Sequence, residues 1–279
     1  VVGTENRPEC VIRPRRGLIA IDFAELWRYR ELFWFLAWRD ILVRYKQTVL
    51  GMLWAALQPL LTMLVFTVLF GRLAKFPSNG APYAVITLAA LLPWQLFANA
   101  MTQGSASLIA SSSMITKVYF PRLIIPSSAT LSGLVDFAIS FVILIGVMLW
   151  YGVTPRWGLL LLPLFSLSAF LAAFGAALWL SALNVRYRDV KHVVPFLVRI
   201  GTYVSPVGFL SEVVPERWRL WYSLNPIVGV IDGFRWAILG PDFTPYWPGF
   251  WLGLAVCALV LVSGALFFRS TEKTFADVI

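Results

Sequence analysis

The chain has 279 residues, 59% of them hydrophobic, 15% aromatic and only 13% charged. Soluble domains average about 45–50% apolar and about 25% charged, so this composition, with a mean hydropathy of +0.77, excludes a soluble domain and indicates a polytopic membrane protein. A net charge of +9 would suggest nucleic acid in a soluble protein; here it lies mainly in segments placed in the cytoplasm, where it orients the spans and meets membrane lipids.

Residues 1–21 hold Arg7, Arg13, Arg15 and Arg16 with Pro8 and Pro14, and read as a basic cytoplasmic tail. The sequence starts without Met and shows no signal peptide before its first apolar run, which fits a trimmed start. Asp22 followed by Glu25 has the spacing of a capping box. Over 22–47 the apolar residues Leu26, Trp27, Phe33, Trp34, Trp38 and Leu42 recur at helical spacing, and Glu25, Arg28, Arg39, Asp40, Arg44 and Lys46 fill much of the opposite side. This pattern predicts an amphipathic interface helix lying in the membrane plane. Its charges interrupt every window long enough to cross.

The first span is expected over 51–70. Its apolar stretch from Leu53 to Phe70 is about 27 Å long as a helix, close to the roughly 30 Å of a hydrocarbon core. The basic Arg44 and Lys46 before it keep that end in the cytoplasm. Further spans are expected over 83–100, 124–150, 157–183, 193–211 and 250–268. Pro93 should kink the second. The fourth carries Ala169, Ala172, Ala173, Gly175 and Ala176, small residues that permit close helix packing. Between spans two and three, 101–122 is serine-rich and polar, and it reads as a return segment that does not cross.

The run Asn184 to His192 is dense in charge and placed in the cytoplasm. Residues 212–240 contain two apolar stretches parted by Asn225 and Pro226, each too short to span. They read as two short re-entrant helices at the outer face, tolerated only where they pack on protein or line a cavity. Residues 269–279 form a cytoplasmic C-terminal tail. Arg72, Lys75, Arg156, Arg217, Arg219 and Arg235 face outward in this topology, and more than twice as many basic residues face inward.

Cys10 and Cys257 fall in the tail and the last span, so no disulfide is expected. His192 has no ligand-type neighbours, so no metal site is argued. No G-x-x-x-x-G-K-[ST] motif is present, so the chain does not hydrolyse ATP through a P-loop. Asp136 and Arg199 are the ionisable residues deepest in apolar sequence. An intramembrane charge costs at least about 2.5–3.5 kcal/mol, so both should face the interior. Two readings are open for them: an ion pair between spans three and five, or a place for Arg199 on a substrate path. Tyr203, Trp221 and Tyr222, near the outer end of span five, are candidate aromatic faces for sugar.

The ordered set RYKQTVLGMLWAALQPLL (44–61), ITKVYFPRLIIP (115–126), NVRYRDVKH (184–192), SPVGFL (205–210), LNPIVGVIDGFRWAIL (224–239) and EKTFADVI (272–279) resembles the membrane subunit of ABC-2 type polysaccharide exporters, nearest to the O-antigen and teichoic acid permeases. The resemblance covers about 25–279. It implies an all-α fold of six transmembrane helices working as a homodimer with two separate ABC ATPase subunits, which hold the ATP and Mg; no cofactor is implied on this chain. The substrate would be a lipid-linked polysaccharide on undecaprenyl diphosphate, carried across the bacterial inner membrane with both termini cytoplasmic. By the same resemblance 22–47 touches the ATPase, 111–122 holds the coupling helix and 212–240 forms periplasmic gate helices. Arg28, Arg39, Lys117, Tyr119, Arg122, Arg186 and Arg188 are then candidates for coupling to the ATPase. Arg199, Tyr203, Trp221, Tyr222 and Asp136 are candidates for the substrate path. A membrane enzyme acting on polyprenyl-linked sugars is the main alternative, although Glu212, Glu216, Asp232 and Asp242 make no convincing catalytic pair. An ABC-2 drug exporter is a further one.

Overall fold

The computed structural model describes residues 23–46, 51–187 and 189–275. The basic tail, Cys10 and Arg188 lie outside the described residues. Helices and their connecting turns make up the described chain, without a strand among the described residues.

The N-terminal helix is broken. α1 (Phe23–Arg28) and α2 (Arg30–Lys46) meet at a turn at Tyr29. Leu36 and Ala37 of α2 are buried against the bundle, whereas Trp34 and Trp38 are 65% and 61% exposed. The aromatic stripe thus faces out, as an interfacial helix requires. α3 (Gly51–Phe66) runs on as a π-helical segment (Thr67–Leu73), and left-handed Lys75, Asn79 and Gly80 then turn the chain.

α4 (Tyr83–Ala110) is the central column. It has 28 residues, about 42 Å, and all but its edges are buried. The expected exit at residue 100 is corrected here: the helix continues ten residues further. Thr102, Ser105 and Ser107 do not stop it because each hydroxyl donates to a carbonyl three or four residues back. A short α5 (Ser112–Ile115) follows, then α6 (Ile124–Trp150) antiparallel to α4.

A 3₁₀ turn (Trp157–Leu161) leads into α7 (Leu162–Arg186), which is packed between α4 and α11 (Trp247–Thr271). The small residues make this approach close. A Cβ on Gly175 would stand 2.7 Å from the Leu261 backbone, and one on Gly264 would stand 2.5 Å from the Gly175 carbonyl. Trp179 stacks on Phe267 at 4.1 Å beside this contact and donates to Ser263.

α8 (Val190–Val204) corrects the expected fifth span over 193–211. It has 15 residues, about 22 Å, and ends at Ser205 and Pro206. The remaining residues, 205–210, are non-helical and mostly buried. Five helices are long and apolar enough to cross a membrane among the described residues, and α8 is not one of them. The expected gate segment contains α9 (Glu216–Tyr222), mostly exposed, and α10 (Pro226–Leu239), almost wholly buried. α10 starts sharply because Asn225 accepts the Ile227 N–H and Pro226 occupies the first turn. It stops at Gly240, whose φ of 101° suits only glycine.

Among the described residues, two large apolar cores and a small one between them, formed by Ala100, Met101, Ala173 and Val194, fill the bundle. The apical core joins the first half of α4, the end of α6, the start of α7 and α10. The basal core joins Leu108, Ile115, Phe120, Leu123 and Ile125 with Leu178, Phe268 and Phe275, and Leu26, Tyr29 and Leu32 of the first helices pack on it.

Candidate functional site

At the basal end, three segments distant in sequence share one core: α1, the stretch 111–122 and the C-terminal turn. Arg122 ties two of them together. Its backbone N–H donates to the Glu272 carboxylate, its guanidinium donates to the Glu272 carbonyl, and the same group lies 6.0 Å from the Phe275 ring. Glu272 is itself held by Arg269 at 2.8 Å. Arg122, a coupling candidate by resemblance, is therefore half-buried and engaged as a clamp. Arg28, Lys117 and Tyr119 are exposed at this end. Arg39 is exposed and paired with its neighbour Asp40 at 2.8 Å. Arg186 is exposed and lies over the Tyr187 ring.

Asp136 is not paired with Arg199. Its carboxylate lies 2.8 Å from the Arg44 guanidinium, accepts from the Tyr45 hydroxyl and accepts from the Asn99 amide at 3.3 Å. The Arg44 contact is off-axis, and that nitrogen makes no hydrogen bond. Burial, then the Asp136 carboxylate, pushes the Tyr45 phenol above its ordinary range, so it stays protonated and donates. Helical spacing put Arg44 on the solvent side of α2. The end of α2 instead tilts against α6, and both Arg44 and Tyr45 reach inward.

These groups line a cleft of about 360 Å³ between α2, α3, α4 and α6. Trp54, Ala55, Gln58, Pro59, Gln95 and Ser140 complete its wall. The depth of Asp136 follows from its partner: Asn99 is 16 residues down α4 from Tyr83, roughly 24 Å from the apical end. The cleft therefore lies past the midpoint of α4, toward its basal end.

Arg199 and Tyr203, one helical turn apart, lie on the exposed side of α8 with Phe196 and Ile200. Tyr203 is 65% exposed. The opposite side of α8 packs on α4 and α7: Trp94 donates to Thr202 at 2.9 Å and Val194 is buried. α3 and the π-helical segment after it likewise leave a long apolar side open, with Leu53, Leu61, Leu64, Val65, Val68 and Leu69 exposed. Trp221 is 67% exposed on α9, while the Tyr222 hydroxyl donates to the Val204 carbonyl at 2.7 Å and holds α9 to the end of α8. The structure thus separates the expected path residues: Asp136 in the cleft, Arg199 and Tyr203 on an open helix side, and Trp221 and Tyr222 at the apical rim.

One apical group was read only as an outward orientation charge. Arg235 is 1% exposed. It donates to the carbonyls of Phe209 at 3.0 Å, Val207 at 3.2 Å and Ile86 at 3.4 Å. Asp232, 3.8 Å away and one turn back, accepts from Ser211 at 2.6 Å. Tyr83 donates to the Gly208 carbonyl, and Asn225 donates to Ser205 at 3.0 Å. The non-helical stretch after α8 is thereby stitched to α4 and α10, as backbone at membrane depth requires. An opposite-charge pair at i, i+3 inside an otherwise apolar 13-residue run was the available signal. Among the described residues no group of three or more His, Cys, Asp or Glu is placed to hold a metal.

A family model described as "ABC-2 type transporter" matches residues 31–239. The chain is 30% identical over 261 residues to the O-antigen export system permease protein RfbA of Myxococcus xanthus, covering 91% of this chain and 98% of that protein. It is 29% identical over 201 residues to a protein of the same name from Klebsiella pneumoniae, covering 71% and 76%. It is 22% identical over 205 residues to the polysialic acid transport protein KpsM of Escherichia coli, covering 72% and 78%.

Proposed function

The chain belongs to the ABC-2 type transporter family, and from that premise we propose that it is the permease subunit of an ATP-driven exporter of a lipid-linked polysaccharide in the bacterial inner membrane. The observation that carries this reading is similarity along nearly the whole chain to a permease named for O-antigen export. The substrate is a polymer on undecaprenyl diphosphate, and ATP and Mg are held by two partner ATPases. Two copies of this chain form the channel.

Geometry supports the pairing of two copies and the topology. In lipid, the open side of α8 would leave Arg199 unpartnered, at a cost of at least about 2.5–3.5 kcal/mol. Facing a second copy across a hydrated path, Arg199 and Tyr203 meet substrate instead, and the open side of α3 is covered. α8 together with the stitched stretch 205–210 makes the fifth of six crossings. α9 and α10 then lie at the periplasmic end and both termini in the cytoplasm. The basal body is the ATPase contact, with Arg28, Lys117, Tyr119 and Arg186 exposed toward it. Because 111–122, α1 and the C-terminal turn share one core, a push on the first moves all three, the kind of packed element that coupling requires.

The test is export in the source cell. Deleting the chain should leave polymer inside and none at the surface, and re-expression should restore it. Arg199→Ala should cut surface polymer at least tenfold at unchanged chain abundance. Normal surface polymer in the deletion strain would reject the reading.

A further inference from the structure

We propose that the cleft between α2, α3, α4 and α6 binds a neutral sugar of the substrate and excludes its diphosphate. This rests on the polysaccharide reading above. The charge of the wall argues for it. Among the described residues the lining carries one cation, Arg44, and one anion, Asp136, already 2.8 Å apart. A diphosphate brings at least two negative charges, would find that single cation neutralised, and would meet a carboxylate.

The remaining wall suits hydroxyls. Gln58, Gln95 and Asn99 each offer an amide donor and acceptor. Among the described residues the side chains of Gln58 and Gln95 make no hydrogen bond, whereas Asn99 is turned to Asp136. Asp136 has two acceptor oxygens, which suits adjacent hydroxyls. Trp54 is half-exposed on the same wall and presents an apolar ring to sugar C–H groups. The cleft's 360 Å³ is room for roughly a dozen water-sized groups at about 30 Å³ each. A hexose has about that many non-hydrogen atoms.

The experiment places a photoreactive benzoylphenylalanine at Ala55, on the wall beside Gln58, in cells that make the polymer. A second strain places it at Trp54, which gives the reading if the first does not assemble. After irradiation the purified chain is treated with periodate and hydrazide to reveal vicinal diols, and adducts are sized by mass spectrometry. The expected result is a glycan-bearing adduct whose yield falls at least tenfold in Gln58→Leu/Gln95→Leu, with chain abundance and gel-filtration profile unchanged. Adducts of phospholipid or sugar-free polyprenyl diphosphate alone, no adduct at either position, or a yield unmoved by the double substitution would overturn the proposal. Surface polymer is scored in the same cells. Export that persists without a glycan adduct rejects the sugar site and leaves the permease reading standing; export independent of the chain rejects both.

Discussion

Replacing Arg235 with Met tests the apical stitching. The substitution removes the donor to the Val207 and Phe209 carbonyls and the counter-charge of Asp232. A buried acceptor left without a partner costs about 1–3 kcal/mol, and removing one member of a buried ion pair costs about 3–5 kcal/mol. These overlap because one side chain serves both, so a combined loss of about 3–5 kcal/mol is expected. Arg235→Lys keeps the charge but loses the fork that reaches several carbonyls at once, and should cost about 1–3 kcal/mol. Stability is read from denaturant unfolding of the purified protein in detergent, and local opening from hydrogen exchange at 205–210. Both variants should exchange faster there than at α7. Asp232→Asn/Arg235→Met should be less unstable than the two single losses added, because the uncompensated carboxylate is gone. Unfolding of Arg235→Met within about 0.5 kcal/mol of the parent, a typical neutral surface change, would refute the reasoning.

Other expectations follow from the same contacts. Gly175→Val forces a side chain into the Leu261 backbone and should destabilise the α7–α11 contact by about 1–3 kcal/mol, read by unfolding in detergent. Arg122→Ala removes the tie from this stretch to Glu272 and Phe275; trypsin should cut at Arg269 or Lys273 faster, and stimulation of the partner's ATPase should fall even where the chain still assembles. Tyr45→Phe removes a protonated donor from Asp136 and should cost about 1.5–3 kcal/mol, a hydrogen bond to a charged group, with no change in the pH dependence of stability between pH 6 and 9.

Much of the helical frame was legible from hydropathy. The apolar runs expected from 53, 83, 124, 157 and 250 all fall within long helices, the last of which starts at Trp247. Hydropathy misplaced what it does not measure. Thr102, Ser105 and Ser107 look like water-facing residues, yet their hydroxyls are spent on their own helix, and the polar stretch stays helical inside protein. α8 was drawn too long because 205–210 are apolar, although Ser205 and Pro206 end a helix; the donors Arg235 and Tyr83 help make that irregular backbone tolerable. Of the two readings open for Asp136 and Arg199, the ion pair fails for a similar reason. Arg44 lies on a helix whose tilt against α6 has no local sequence mark, so a contact spanning some ninety residues could not be read from periodicity. The exposed side of α1 and α2 was foreshadowed by Trp27, Trp34 and Trp38 at helical spacing, and all three stand open in the structure.

The most direct measurement is polymer transport in proteoliposomes. This chain and its partner ATPase are reconstituted, polyprenyl-diphosphate-linked polysaccharide is supplied on the ATPase side, and polymer arriving in the lumen is protected from an added glycosidase. The account predicts protection that needs ATP, Mg and both proteins, and that falls at least tenfold with Arg199→Ala. ATP turnover with no protected polymer, or protection equal without this chain, would contradict it.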